Sequence, residues 1–222
     1  MPPGDGLAAA RYRAAVGIDE SRPRAVGQGC PSYAAVGAGG GGWGGGEGAA
    51  RTIEFLRGDW DVERLIRDRR AGQDGAFRGT ARFRETADSQ VLEYTEDGEL
   101  RFGSHHGPAC RRLIYRGRAD GAADVRFADG REFYRLDLRA GAWRADHPCR
   151  ADSYHVVITR LSPDSFTETW QVAGPDKDYE LATTYRRITS RPVPDGPISK
   201  AQSGTGPAGC GVTVTSVPDG SR

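Results

Sequence analysis

Residue types that bind metals or move protons crowd one short stretch, DHPCRADSYH, at 146–155. It holds His147, Cys149, Asp152 and His155, with Tyr154 between the last two. Zinc would need three or four such donors to converge tetrahedrally. Their spacing opposes that. If DSYHVV is a strand, Asp152, Tyr154 and Val156 share one face and His155 takes the other, so at most His147, Cys149 and Asp152 converge. A Cys-His-Asp catalytic trio from neighbouring residues would be unusual, because such trios assemble from distant segments. The stretch therefore reads as a loop, ordered by Pro148, that leads into a strand and forms a rim. No metal or cofactor is expected. Tyr154 should be partly buried, with its hydroxyl bonded to His147 or a main-chain carbonyl.

Glu168 is a second candidate. In SFTETWQV the residues Phe166, Glu168, Trp170 and Val172 fall on one strand face, which sets a carboxylate among large apolar side chains. Buried there, it needs a partner. It could anchor a ligand amine or act as an acid or base. The alternative places it at a rim in water or against an arginine. His105-His106 in GSHHGP reads as an exposed loop pair. There is no GxSxG, HExxH, phosphate-binding loop or dinucleotide fingerprint.

The elements that must position these residues are strands. Between Arg51 and Ser190 the apolar pattern has period two and is broken by turn signals. In AFRGTARFRE, Phe77, Gly79, Ala81 and Phe83 share a face. VLEYTEDGELRF reads as strand, Asp97-Gly98 turn, strand, and ADVRFADGREFYRLDL as a hairpin about Asp129-Gly130. SYHVVITRL, SFTETWQVAG and YELATTYRRIT add three more strands. The count is about ten, with no helix longer than a turn or two. Such a chain folds as an antiparallel up-and-down meander, which removes its edges by closing into a barrel.

On either side the composition changes. Residues 1–50 hold fourteen glycines and eleven alanines and read as a disordered leader; 191–222, rich in Pro, Gly and Ser, read as a disordered tail. The domain is 51–190. The chain carries 31 basic and 30 acidic residues, a formal net charge of +1. Its arginines are dispersed, so nothing points to nucleic acid. No apolar run is long enough to span a membrane. With no CxxC pair among four cysteines, the expectation is reduced thiols and a cytoplasmic protein. The arginine and alanine of MPPGDGLAAARYRAAVG leave plastid targeting open. Oligomeric state is not legible.

Two resemblances add to this. Gly58-x-Trp60, opening an all-β window that ends on Tyr185-x-Arg187, resembles the signature of the calycin superfamily of lipocalins and fatty-acid-binding proteins. The resemblance implies that Gly58 lets the chain bend, Trp60 plugs one end, and Arg187 (or Arg186) covers its ring. FLRGDWDVERLIRD, GAFRGTARF, VLEYTEDGEL, VRFADGREFYRLDL, HPCRADSY and AGPDKDYELATTYRR together resemble one family, domain of unknown function 6314. Where that family favours histidine after GR-x-F, this chain has Tyr134. No activity follows from the resemblance.

A barrel of this size can enclose a small apolar ligand. Phe77, Phe83, Tyr115, Phe127, Trp170, Tyr179 and Tyr185 would line it. Tyr115, Phe127, Tyr134, His147, Cys149, Asp152, Tyr154, Glu168, Trp170 and Tyr185 are the candidate ligand contacts, and Gly58, Trp60 and Arg187 are structural. The leading reading is non-covalent binding of a small apolar or amphipathic molecule. An enzyme using His147, Cys149, Asp152, Tyr154 and Glu168 at the barrel mouth is the alternative, and a packed-barrel interaction module the third.

Overall fold

The computed structural model describes residues 51–149 and 151–189, together with the pair Ala34–Ala35. The elements are β1 (Ala34–Ala35), α1 (Thr52–Leu56), β2 (Gly58–Asp68), β3 (Gln73–Glu85), β4 (Val91–Phe102), β5 (His105–Gly117), β6 (Ala123–Phe127), β7 (Glu132–Leu136), β8 (Ala142–Cys149), β9 (Asp152–Ser162), β10 (Ser165–Gly174) and β11 (Lys177–Arg187). The sheet order is β1-β8-β9-β10-β11-β2-β3-β4-β5-β6-β7, with every pair antiparallel. From β2 onward neighbours in sequence pair in space, except across the β7–β8 connection. The ten long strands make an all-β, nearly closed up-and-down barrel.

Strict alternation puts one face of each strand inside. On β2 the buried residues are Trp60, Val62, Arg64, Ile66 and Asp68, with exposed residues between them. Phe77, Ala81 and Phe83 do the same on β3, and Phe166, Glu168, Trp170 and Val172 on β10. The barrel interior is the hydrophobic core, and it is continuous.

One end is sealed by α1, whose Ile53, Phe55 and Leu56 are buried. Trp60 lies beneath it, fully buried, with Nε1 donating to the Leu56 carbonyl at 2.7 Å. The Arg187 guanidinium sits 4.1 Å from the Trp60 ring centroid. It also donates to the carbonyls of Arg57 (2.6 Å) and Phe55 (2.8 Å) and to Asp164 (3.0 Å). Arg187 thus ties β11 to the chain entering β2 and satisfies carbonyls that the short helix leaves open. Gly58 has φ +117°, and a Cβ there would lie 3.0 Å from Arg187 Nη1. Only glycine fits both the backbone and the arginine.

Four expectations need correction. Asp97-Gly98 is not a turn, because β4 runs unbroken through it. Gly98 pairs with Gly79 on β3, and a Cβ on either would come within 2.8 Å of the Phe77 ring tip and closer still to the opposite backbone. The two glycines make room for that ring rather than reverse the chain. His105-His106 is not a loop pair but the start of β5, the turn falling at Gly103 with φ +58°. Residues 146–149 are not a loop either. They extend β8 to a hairpin whose last pair is Cys149 with Asp152. Pro148 lies beyond the two positions that pair with Ala34 and Ala35, on the sheet edge where proline is tolerated. Finally, Cys110 is in a disulfide, not a free thiol. It lies on β5 and is partly exposed.

Within the leader expected to be disordered, Ala34 and Ala35 pair with Asp146 and Ala145 on the outer edge of β8. The tail beyond 190 lies outside the described residues. Between β7 and β8 there is no ladder among the described residues; Tyr134 stacks on Trp143 there, ring centroids 5.3 Å apart.

Candidate ligand-binding site

The middle of the barrel holds a polar network that period-two reading did not single out. Arg64 on β2 grips Glu96 on β4 through two parallel bonds, Nη1 to Oε1 at 2.8 Å and Nη2 to Oε2 at 2.7 Å. Its Nε donates to Thr183 Oγ1 at 2.9 Å. Both side chains of the ion pair are 2% exposed. The Tyr94 hydroxyl donates to Glu96 at 2.5 Å, and Arg111 Nη2 reaches Tyr94 Oη at 3.2 Å and Glu96 at 3.4 Å. Burial alone would push the Glu96 carboxyl up. The guanidiniums of Arg64 and Arg111 and the Tyr94 hydroxyl reverse that and hold it at about 2.

Across the barrel, Glu168 on β10 accepts from Trp170 Nε1 at 2.6 Å and from the Tyr185 hydroxyl at 3.1 Å. Tyr185 lies 3.5 Å, oxygen to oxygen, from Tyr94. Glu168 is buried, neither at a rim nor hydrogen-bonded to an arginine; aromatic donors hold it. Tyr115 and Tyr134 hydrogen-bond each other, and burial raises the hydroxyl pKa of both. Burial likewise holds Tyr94 and Tyr185 well above the ordinary tyrosine value. All four phenols are donors at neutral pH, not bases.

Arg111 and Glu168 stand apart in this network. Arg64 and Glu96 satisfy each other. Arg111 Nε is buried with no hydrogen-bond partner, and its Nη2 bonds are long. Among the described residues no cation lies within 4.0 Å of Glu168. Burying an under-satisfied charge costs several kcal/mol, roughly, unless something else answers it.

The rings around these two are closely packed. Phe133 stacks flat on Trp170 with centroids 5.6 Å apart, Tyr134 meets Trp170 edge-on at 5.8 Å, and Phe127 contacts Phe133 at 4.5 Å. Residual exposure is uneven. Arg111, Tyr115, Tyr134, Glu168, Trp170 and Tyr179 each keep 6–9%, while Trp60, Val62, Arg64, Phe77, Ala81 and Tyr94 keep 0–2%.

At the end of the barrel away from α1, Lys177 Nζ donates to Asp152 Oδ2 and to the Tyr154 hydroxyl, both at 2.7 Å. This joins β9 to β11 past the end of β10. Burial would lower the Lys177 ammonium, but Asp152 and Tyr154 more than offset it and hold its pKa above the usual lysine value. Lys177 is a partner of the Tyr154 hydroxyl that the sequence did not suggest; the expected partner His147 has its side chain outside the described residues. His155 turns away and pairs with Asp146 at 2.5 Å on the exposed face. The side chains of His147 and Cys149 lie outside the described residues. Among the described residues no group of three or more His, Cys, Asp and Glu is placed to hold a metal.

The sequence-level candidates thus divide. Asp152 and Tyr154 meet at the rim. Tyr115, Tyr134, Glu168, Trp170 and Tyr185 meet in the middle, and Phe127 joins that group through Phe133. Glu168 does not join the rim residues. It pairs with Ile158 on β9, four positions from Tyr154, or about 13 Å at ~3.3 Å per residue.

No curated protein matches the sequence. Among solved structures, an S-type phycobiliprotein lyase, CPES, from Guillardia theta is 11% identical, covering 63% of this chain and 92% of its own, with a TM-score of 0.42. A barrel described as EF1p2_mFAP2b bound to DFHBI is 16% identical, covering 64% and 100%, with a TM-score of 0.35. A redesigned barrel, mFAP0, also bound to DFHBI, is 18% identical over 60% and 99%, with a TM-score of 0.34. Likeness at that level carries no argument about function. The family model is different in kind, because it matches residues 56–187, from the end of α1 through the last turn of the Arg187 tie, and the chain belongs to the family of unknown function DUF6314.

Proposed function

We propose that this protein binds a small amphipathic molecule inside the barrel, without covalent chemistry. The observation that supports this best is the pair of ionisable groups inside the barrel, Arg111, whose buried Nε has no hydrogen-bond partner, and Glu168, which has no cation within 4.0 Å among the described residues. A barrel serving only as a packed scaffold has no use for a guanidinium whose Nε finds no acceptor, since an apolar residue of similar volume would be as stable or more so. Aromatic walls with a few convergent polar groups are what small-molecule sites are made of. Tyr115, Tyr134 and Trp170 provide the walls, and Asp152, Tyr154 and Lys177 border the mouth.

Enzymatic use of the rim has less support. Lys177 is held protonated by Asp152 and Tyr154 and so is a poor nucleophile. Glu168 lies too deep to act with them.

The test is titration with PRODAN, a neutral naphthalene dye, together with native mass spectrometry of the protein purified from its own host. Saturable one-to-one binding with a blue shift, or a co-purifying small molecule, is expected. No saturable binding and no added mass would favour the packed-barrel interaction module instead.

A further inference from the structure

Arg111 and Glu168 together carry information about the ligand's polar end. Arg111 keeps a buried Nε without a hydrogen-bond partner, Glu168 has no cation within 4.0 Å among the described residues, and the two are opposite in sign. A chain of close contacts links them, Glu168 to Tyr185 at 3.1 Å, Tyr185 to Tyr94 at 3.5 Å and Tyr94 to Arg111 at 3.2 Å, so both face the same interior. They are not paired with each other: no contact within 4.0 Å joins them. Arg111 offers N–H donors, having used only Nη2 and at long range. Glu168 offers acceptor lone pairs, since each of its oxygens takes a single bond, from Trp170 and from Tyr185.

A simple anion would satisfy Arg111 and be repelled by Glu168. A simple cation would do the reverse. We infer that the barrel selects a neutral ligand head that presents an acceptor and a donor side by side, of the carboxamide or lactam type, with its C=O toward Arg111 and its N–H toward Glu168. The reading rests on the binding function proposed above and narrows it to a chemical class. The aromatic neighbours suit the same head. Tyr115, Tyr134 and Trp170 surround the two charges with aromatic rings, apolar surroundings that suit the aromatic body behind such a head. Trp170 and Tyr185 fix the Glu168 carboxylate, so its free lone pairs keep one direction.

The test compares four probes with one body and different heads: 2-naphthamide, 2-naphthoate, 2-naphthylmethylamine and methyl 2-naphthoate, each displacing PRODAN from the full chain. The amide is expected to displace the dye at about tenfold lower concentration than any of the other three, as one additional hydrogen bond to a buried charged group would give. Glu168→Gln and Arg111→Gln should each bring amide and ester to within about threefold, while PRODAN still binds. The ranking on the native chain needs no variant, so it decides the matter even if a substitution impairs folding. Preference for the naphthoate would reveal an anion site at Arg111 alone, and preference for the amine a cation site at Glu168; either overturns the inference, as does equal binding of all four. If PRODAN itself fails to bind, the binding function falls and the inference with it.

Discussion

Glu96→Gln should change the shape of the acid stability curve and not only its height. The substitution keeps the side-chain volume and removes the charge that Arg64 and Arg111 share. A carboxyl held at about 2, against an ordinary 4.5, stabilises the fold by about 3 kcal/mol at ~1.4 kcal/mol per unit. The sign follows from the direction of the shift. The stabilisation is complete above 4.5, where the unfolded carboxylate is also ionised, and it is lost as pH falls from 4.5 toward 2. In Glu96→Gln that component is absent at every pH, and two guanidiniums remain buried without their counterion. At neutral pH the loss should be roughly 3–5 kcal/mol, the usual consequence of breaking a buried pair. Urea unfolding followed by tryptophan fluorescence, repeated from about pH 7 to about pH 2.5, measures both curves. They should lie farthest apart at neutral pH and approach each other in acid. Parallel curves would refute the argument, because they would mean that Glu96 is no more ionised in the fold than in the unfolded chain.

Four other outcomes can be checked. Tyr94, Tyr115, Tyr134 and Tyr185 all have raised pKa values from burial, so stability should hold up to about pH 10 and fall as pH rises further, with tyrosinate absorbance appearing together with unfolding. Trp60→Ala should destabilise by ~3–5 kcal/mol, and Arg187→Lys by ~1–3 kcal/mol through loss of its fork on the Phe55 and Arg57 carbonyls; iodide reaching Trp60 in the native chain would contradict its placement. Gly98→Ala should cost at least ~1–3 kcal/mol in thermal unfolding, since its Cβ would meet the Arg78 carbonyl at 2.2 Å. A chain of residues 51–190 should melt within a few degrees of the full chain, because β1 adds only two residues to the sheet edge.

The barrel was legible because its strands alternate cleanly and nearly every inward position is apolar. Gly58, Trp60 and Arg187 could be placed for a different reason: Gly58-x-Trp60 at the start of the meander and Tyr185-x-Arg187 at its end together resemble a known signature, and the resemblance, not local propensity, implied their roles. Asp97-Gly98 misled because the same dipeptide that makes a turn also lets two strands and a ring approach closely, and only the partner strand tells which. That error hid Glu96. Without a turn, Leu92, Tyr94, Glu96 and Leu100 lie on one face, and the carboxylate among them is as conspicuous as Glu168. Arg64, between Val62 and Ile66, carried the same signal. What local sequence could not show is which charges meet. Arg64, Glu96 and Thr183 come from β2, β4 and β11, and only barrel closure brings them together.

The seam between β7 and β8 gives the barrel two kinds of wall. Elsewhere adjacent strands share a full ladder, and parting them means breaking several backbone bonds at once. At the seam no ladder joins the two strands among the described residues, and Tyr134 stacks on Trp143, a contact worth ~0.5–1.5 kcal/mol beyond the area it covers. Such a joint can part while every ladder in the sheet stays intact. Backbone amides of β7 should accordingly take up deuterium ahead of those in β3 and β4, through an opening far cheaper than global unfolding.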